Sequence, residues 1–480
     1  MQLLAITWLE KNTYFQIFRK KAFLPTFVFW RMSIMSKLKN YAPGPPGFFP
    51  SGKYSKIFKR DPMELFMQIN HDYGDAASFN IFGIRITSIT NPVDVKYVLQ
   101  ENSSNYTKSI AYNELKHILG QGLLTSEGSF WKRQRRISQP AFKKTMIEGF
   151  ASIVLEEADK VLKSFEGKSH TDISEDMMKI TFIVVGRALF QKDLGERAEA
   201  IGKALEIALE LVLDRIQTLV KFPLNVPTPM NLRLTRAINT MKSLVDELIL
   251  ERRKSGGGQG DLMDFLMFTK DEETGETMTD SQIRDEVLTF LLAGHETTSN
   301  ALSWTFYLLS LHPDIRNKVR EEVYPVMRTG LGYGSLEHLP YTKNVIQEAM
   351  RLYPPIWMIE RSPIKDDVVG GYDVPAGSVL SVGINSIHRH KDYWINPEGF
   401  DPDRFNPENS SGRHGFSYLP FGGGPRICIG NHFAMMEAIL ILATLVHHYD
   451  FNLTSLSKVI KNPVITLRPK YGIPMTLHKV

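Results

Sequence analysis

FGGGPRICIG, residues 421–430, contains the only cysteine of the 480-residue chain, Cys428. Three glycines and a proline precede it, and an arginine stands two positions before it. Glycines let a backbone lie close to a flat ligand and adopt positive φ. The segment that follows, HFAMMEAILILATLVHHY (432–449), is strongly apolar and reads as a buried helix. Cys428 therefore sits just ahead of a helix N-terminus. Unpaired N–H groups and the helix dipole there favour a thiolate and lower its pKa. A buried thiolate is a good soft ligand for iron, and Arg426 can pair with a carboxylate. No Gly-Lys-Ser/Thr follows, so the stretch is not a P-loop, and its glycine spacing is not that of a dinucleotide fingerprint. A core cysteine acting as a small hydrophobe stands as the plain alternative.

A lone cysteine cannot form an internal disulfide, which fits a reducing compartment. Composition is that of a globular protein, 43% hydrophobic and 23% charged. The net charge of +5 is uneven: residues 1–60 hold 11 Lys/Arg against Glu10 alone. The basic, aromatic arm TYFQIFRKKAFLPTFVFW (13–30) reads either as a membrane-surface contact or as a solvated tail. No segment supplies the roughly 20 apolar residues of a membrane span, and the start lacks the pattern of a signal peptide. A cytoplasmic protein, membrane-associated at most through this arm, is expected. No nucleic-acid partner is expected.

APGPPGFFPSG (42–52) is a hinge, which divides the chain into an extension (1–41) and one domain (42–480). SFNIFGIRITSIT (78–90) predicts a hairpin. From about 92 to 354 the apolar spacing is helical. FPLNVPTPMN (222–231) predicts a loop and SGGGQGD (255–261) a turn. The longest helix is expected over about 281–311, with Thr279 and Gln282 as a capping box and Pro313 as its stop. VVGGYDVPAGSVLSVGINSIHRH (368–390) predicts short strands, and VITLRPKYGIPMTLH a final hairpin. The fold class is mainly α with a small β region.

The loop Phe421, Gly424, Arg426, Cys428, Gly430 closely resembles the haem-binding loop of the cytochrome P-450 family. Four more motifs agree in the family's order: WKRQR (131–135), AGHETT (293–298), EAMR (348–351) and PDRF (402–405). The resemblance implies that fold, with a long central helix over haem b and Cys428 as the axial thiolate. It implies a monooxygenase that inserts one atom of dioxygen into an apolar substrate. Trp131, Arg135, Arg361 and Arg426 would bind haem propionates. Small Ala293 and Gly294 would leave room for dioxygen, and Glu296 with Thr297 would relay protons. Glu348, Arg351 and Arg404 would form a buried triad behind the haem. Spacing alone already allows Glu348 and Arg351 to pair, and Thr297 to bond the Ala293 carbonyl. His388 is read as structural.

Alanine at 293 cannot form the glutamate tether that some ω-hydroxylases of the family make to haem. The stretch 285–304 is similar to bacterial fatty-acid hydroxylases with a fused reductase, but no reductase follows here. A separate redox partner is therefore expected: a ferredoxin, a flavodoxin or a diflavin reductase. Lys132, Arg133 and Arg136 would form a basic docking patch. A fatty acid is the first expected substrate, with sterols, terpenes and xenobiotics as alternatives; 100–120 and 222–231 would line or cover the pocket. A peroxide-driven hydroxylase, an isomerase or dehydratase, and a non-catalytic haem sensor or carrier are the rival activities.

Overall fold

The computed structural model describes residues 40–480 except 48–51, 82, 192–195, 219–220, 259 and 455–458. All of the N-terminal arm but Asn40 and Tyr41 lies outside the described residues. In chain order, the elements that position the site begin with β1 (Ala76–Ile81), β2 (Ile84–Ile89), β3 (Tyr106–Lys108), α1 (Tyr112–Leu119) and α2 (Gly128–Ser138). Next come α3 (Lys144–Phe165), β4 (His170–Asp172), α4 (Ile173–Phe190), α5 (Glu196–Gln217), α6 (Pro229–Ser255) and α7 (Asp280–Leu311). The remainder are α8 (Pro340–Leu352), β5 (Ile359–Pro363), β6 (Val379–Val382), α9 (Asn431–His448), β7 (Tyr449–Leu453), β8 (Lys461–Pro463), β9 (Leu467–Pro469) and β10 (Pro474–Lys479).

α7 is the axis. The capping box forms as expected: Thr279 Oγ1 accepts from Gln282 N–H, and Gln282 Oε1 accepts from Thr279 N–H at 2.9 Å. The helix stops at Leu311, and Pro313 opens the next one. Its middle packs on α4, where Gly294 decides the spacing. A Cβ at Gly294 would come within 2.7 Å of Val185 Cγ2, so the glycine lets the two helices approach closely. Its smallness serves helix contact as well as any room for a ligand. α9 is apolar almost all round and buried among α3, α7 and α8, with Phe433 edge-on to Phe150. Each such fully buried Leu, Ile or Phe contributes about 1.5–3 kcal/mol.

A five-stranded sheet runs β1-β2-β6-β5-β3. The predicted hairpin is β1–β2, β2 pairs parallel with β6, and the other pairs are antiparallel. Two expectations change. The final hairpin does not form: β9 pairs with β8, whereas β10 pairs with β7 and β4. The break comes at Lys470–Gly472, where only an isolated bridge joins neighbours. The 222–231 loop is also shorter than expected. Pro229 opens α6, with Thr228 Oγ1 accepting from Asn231 N–H at 3.1 Å; proline at a first helical position loses no hydrogen bond. Among the described residues no helix is long and apolar enough to cross a membrane.

Candidate active site

The loop ahead of α9 folds back on itself through Cys428 N–H, which donates to the Phe421 carbonyl at 3.0 Å. Gly424 sits at φ +68°, and a Cβ there would lie 1.9 Å from the Leu99 carbonyl oxygen; glycine is required. Gly430 is the N-cap of α9. The loop forms one wall of a cavity of about 320 Å³. Phe421, Arg426, Cys428 and Gly430 line it, as do Ala293, Gly294, Glu296 and Thr297 of α7. Arg361 of β5 lines it too. Cys428 is open to the cavity, although protein surrounds it in every other direction. Burial pushes its thiol up, while the Gly430 N–H and Arg135 pull it down. The expected lowering therefore fails for the protein alone; a coordinated cation would reverse it, since a coordinating thiol is deprotonated outright.

Trp131 and Arg135, expected beside a propionate, are not among the lining residues. Trp131 lies under the Arg426 guanidinium, 4.1 Å from ring centroid to carbon. Arg135 donates to the Ile427 carbonyl at 3.0 Å. Both hold the loop from behind. Arg426 also donates to the Ser126 carbonyl at 2.9 Å and pairs with Glu127.

Sequence reading missed Lys108, which lines the cavity from β3. The β3–β5 register sets Lys108 directly opposite Arg361, an arrangement of like charges that is destabilising by itself. Burial, followed by Arg361 and Arg426, holds the Lys108 ammonium well below its usual pKa. Among the described residues neither Lys108 nor Arg361 has a carboxylate within ion-pair distance; Arg361 Nη1 donates to its neighbour's carbonyl, Glu360 O, at 2.9 Å, and its guanidinium also bonds Tyr112. Three cations crowd one end of a cavity whose remaining lining is mostly apolar.

Thr297 Oγ1 donates to the Ala293 carbonyl at 2.7 Å, as its spacing suggests. Glu296 does not meet it. Its Oε1 accepts instead from Thr466 Oγ1 at 2.7 Å, because adjacent helical residues face different ways. The triad is fully assembled. Arg351 Nε and Nη2 grip both oxygens of Glu348 at 2.7 Å, and Arg404 Nε reaches Glu348 Oε1 at 3.2 Å. Arg351 also ties down the carbonyls of His388, Pro397 and Gly399. His388 is buried, its pKa pushed down to about 3 chiefly by burial, and its Nε2 accepts from Leu419 N–H at 2.8 Å. That is a structural histidine holding the start of the cysteine loop.

The basic docking patch does not survive. Arg133 donates to the Thr277 carbonyl and pairs with Glu276; Arg136 grips Asp271 and reaches Glu273. Only Lys132 of the three is left exposed without an ion pair among the described residues. Nor does 222–231 line the cavity, and from 100–120 only Lys108 and Tyr112 do.

Glu286 on α7 is another group that sequence reading passed over. It is wholly buried and accepts from Leu123 N–H at 2.9 Å and Gln134 Nε2 at 3.3 Å. Burial raises its pKa from 4.5 to about 8. The folded state then holds a proton that the unfolded chain releases, so this group erodes stability as pH rises from 4.5 to about 8. Glu286→Gln is expected to raise the melting temperature, with a gain that grows across that window. A gain independent of pH in thermal melts would refute the assignment.

The cytochrome P-450 family model matches residues 43–474. The chain belongs to the cytochrome P-450 family. Cyclooctatin synthase of Streptomyces melanosporofaciens is 33% identical over 429 residues, which is 88% of this chain and 92% of that one. Cyclooctat-9-en-7-ol 5-monooxygenase of the same organism is 32% identical over 405 residues, 83% and 87% of the two chains. The solved cytochrome P-450DA haem domain superposes with a TM-score of 0.84 at 28% identity, covering 92% of this chain and 99% of its own. This P-450 is thus an oxidoreductase of the monooxygenase type, and the family's cofactor is haem held by a cysteine thiolate. The residues present fit that group: one thiol at the cavity wall, largely apolar sides, and three cations, of which Lys108 and Arg361 have no carboxylate partner among the described residues and Arg426 has Glu127.

Proposed function

We propose that this P-450 hydroxylates an apolar, terpenoid-like substrate, using haem b, dioxygen and electrons from a separate redox protein. The observation that carries the reading is that Cys428 and Thr297 line one apolar cavity whose cations gather at a single end. Bound haem would supply oxygen activation, with the thiolate donating electron density that favours O–O cleavage. Cys428 would be its ligand. Lys108, Arg361 and Arg426 would hold the propionates through charge-assisted bonds, backed by Trp131 and Arg135. Thr297 would accept a hydrogen bond at the cavity while its own proton rests on Ala293 O, and Glu296 would move protons inward.

A fatty acid needs a partner for its carboxylate. Lys108, Arg361 and Arg426 are already assigned to the propionates, and the rest of the lining offers no further cation. Val185, Ile356 and Ile465 suit a hydrocarbon skeleton instead. The relative named for cyclooctat-9-en-7-ol supports the same choice. Spectral titration of the holoenzyme with cyclic terpene alcohols and with C12–C18 fatty acids tests it. Tighter response to the fatty acids would reverse the order.

Thr297→Ala is expected to keep consuming reductant while product per electron pair falls several-fold, with peroxide released instead. Normal coupling in the variant would remove Thr297 from the proton path.

A further inference from the structure

The β8–β9 turn closes over the cavity from the far end of the chain. Ile465 and Thr466 both line the cavity. The turn is held on either side by two buried indoles. Trp357 Nε1 donates to the Val464 carbonyl at 3.0 Å, and Trp304 Nε1 donates to the Leu467 carbonyl at 2.9 Å. Between these anchors only Ile465 and Thr466 are left to respond to what the cavity holds.

Thr466 is the middle of a hydrogen-bonded chain. Asn300, one helical turn beyond Glu296 on the same face of α7, donates from Nδ2 to Thr466 Oγ1 at 3.1 Å. Thr466 Oγ1 donates to Glu296 Oε1 at 2.7 Å. All three side chains are at least nine-tenths buried. A hydroxyl has one proton. With Asn300 supplying a donor, the threonine's proton is committed to the Glu296 carboxylate. Glu296 is thereby fixed toward the turn, and its carboxylate has no bond to Thr297.

We propose that Thr466 is a positioning residue that latches Glu296 against the 464–466 turn, and that a substrate packed on Ile465 loosens the latch. This rests on the reading of Glu296 as a proton mover. The physical logic is one of timing. An acid free to turn in an unfilled site delivers protons with no substrate to oxidise, and reductant is wasted. A hydrogen bond weakens steeply once stretched or misaligned. A small displacement of a two-residue span is enough to change a 2.7 Å bond, and Ile465 is the residue through which a hydrocarbon would push.

The test uses the holoenzyme. Glu296→Gln first identifies the Glu296 carboxyl band in the difference infrared spectrum. Thr466→Val, which keeps shape and removes the hydroxyl, is expected to shift that band and to raise substrate-free reductant consumption several-fold. Thr466→Ser is expected to restore both. Ile465→Phe, which fills part of the space a substrate would take, is expected to shift the band in the same direction as Thr466→Val. An unmoved band in Thr466→Val overturns the latch; an unmoved band in Ile465→Phe overturns its release by the cavity's contents. Failure of the underlying reading looks different: Glu296→Gln would then form product at the wild-type rate, whatever Thr466 does to the spectrum.

Discussion

Replacing Cys428 by serine is expected to bring product formation to background. The ferrous carbonyl complex should also lose the red-shifted Soret band that a thiolate gives. The loop itself should persist in Cys428→Ser. Its closing bond runs from the residue 428 N–H to Phe421 O, and its turn is fixed by Gly424. Far-ultraviolet circular dichroism should therefore match the wild type. The effect is large because Cys428 is the only thiol in the chain, and serine cannot donate electron density as a thiolate does. Retention of the red-shifted band in Cys428→Ser would overturn the assignment of the ligand.

Glu348→Ala is expected to cost about 3–5 kcal/mol, the range for removing one member of a buried ion pair. Glu348 and Arg351 are wholly buried, and Arg404 is nearly so. Without the carboxylate, two guanidinium groups remain in the interior, held by backbone carbonyls, by the Trp394 ring and, at 4.0 Å, by the partly exposed Asp401. Those carbonyls belong to the 388–399 segment. The damage should reach the cysteine loop, because His388 in the same segment receives Leu419 N–H. Haem retention should fall together with the melting temperature. Arg404→Lys, which keeps the charge and loses the fork, should cost less. A Glu348→Ala protein melting within a degree of wild type would sink this account.

What could be read from the sequence was what local spacing controls. The Cys428 loop, the Thr279 capping box, the back-bond of Thr297 and the Glu348–Arg351 pair each depend on residues within a turn or a short loop of one another. The misses share the opposite character. Lys108 reaches the cavity because β3 lies beside β5, a pairing that spans some 250 positions. Thr466 meets Glu296 across 170 positions. The basic patch failed for the same reason, since the acids that neutralise Arg133 and Arg136 arrive on the 271–276 connection. Gly294 does line the cavity, but its second role, the close approach to Val185, depends on another helix and was not legible. The rise in the Cys428 pKa followed from burial, which a motif does not state.

On the proposed reading, the opposed pair Lys108 and Arg361 would make the cofactor a participant in folding. Two basic side chains facing each other across a strand pair disfavour each other's charge until an anion arrives, and a ligand that binds only the folded form stabilises it by mass action. The repulsion sits at the β3–β5 edge, so that edge is where a chain made without haem would open first, exposing β5 and the residues that lead into it. In a cell, the amount of this enzyme would then follow the supply of haem even at constant synthesis, because the haem-free chain is the form that proteases reach.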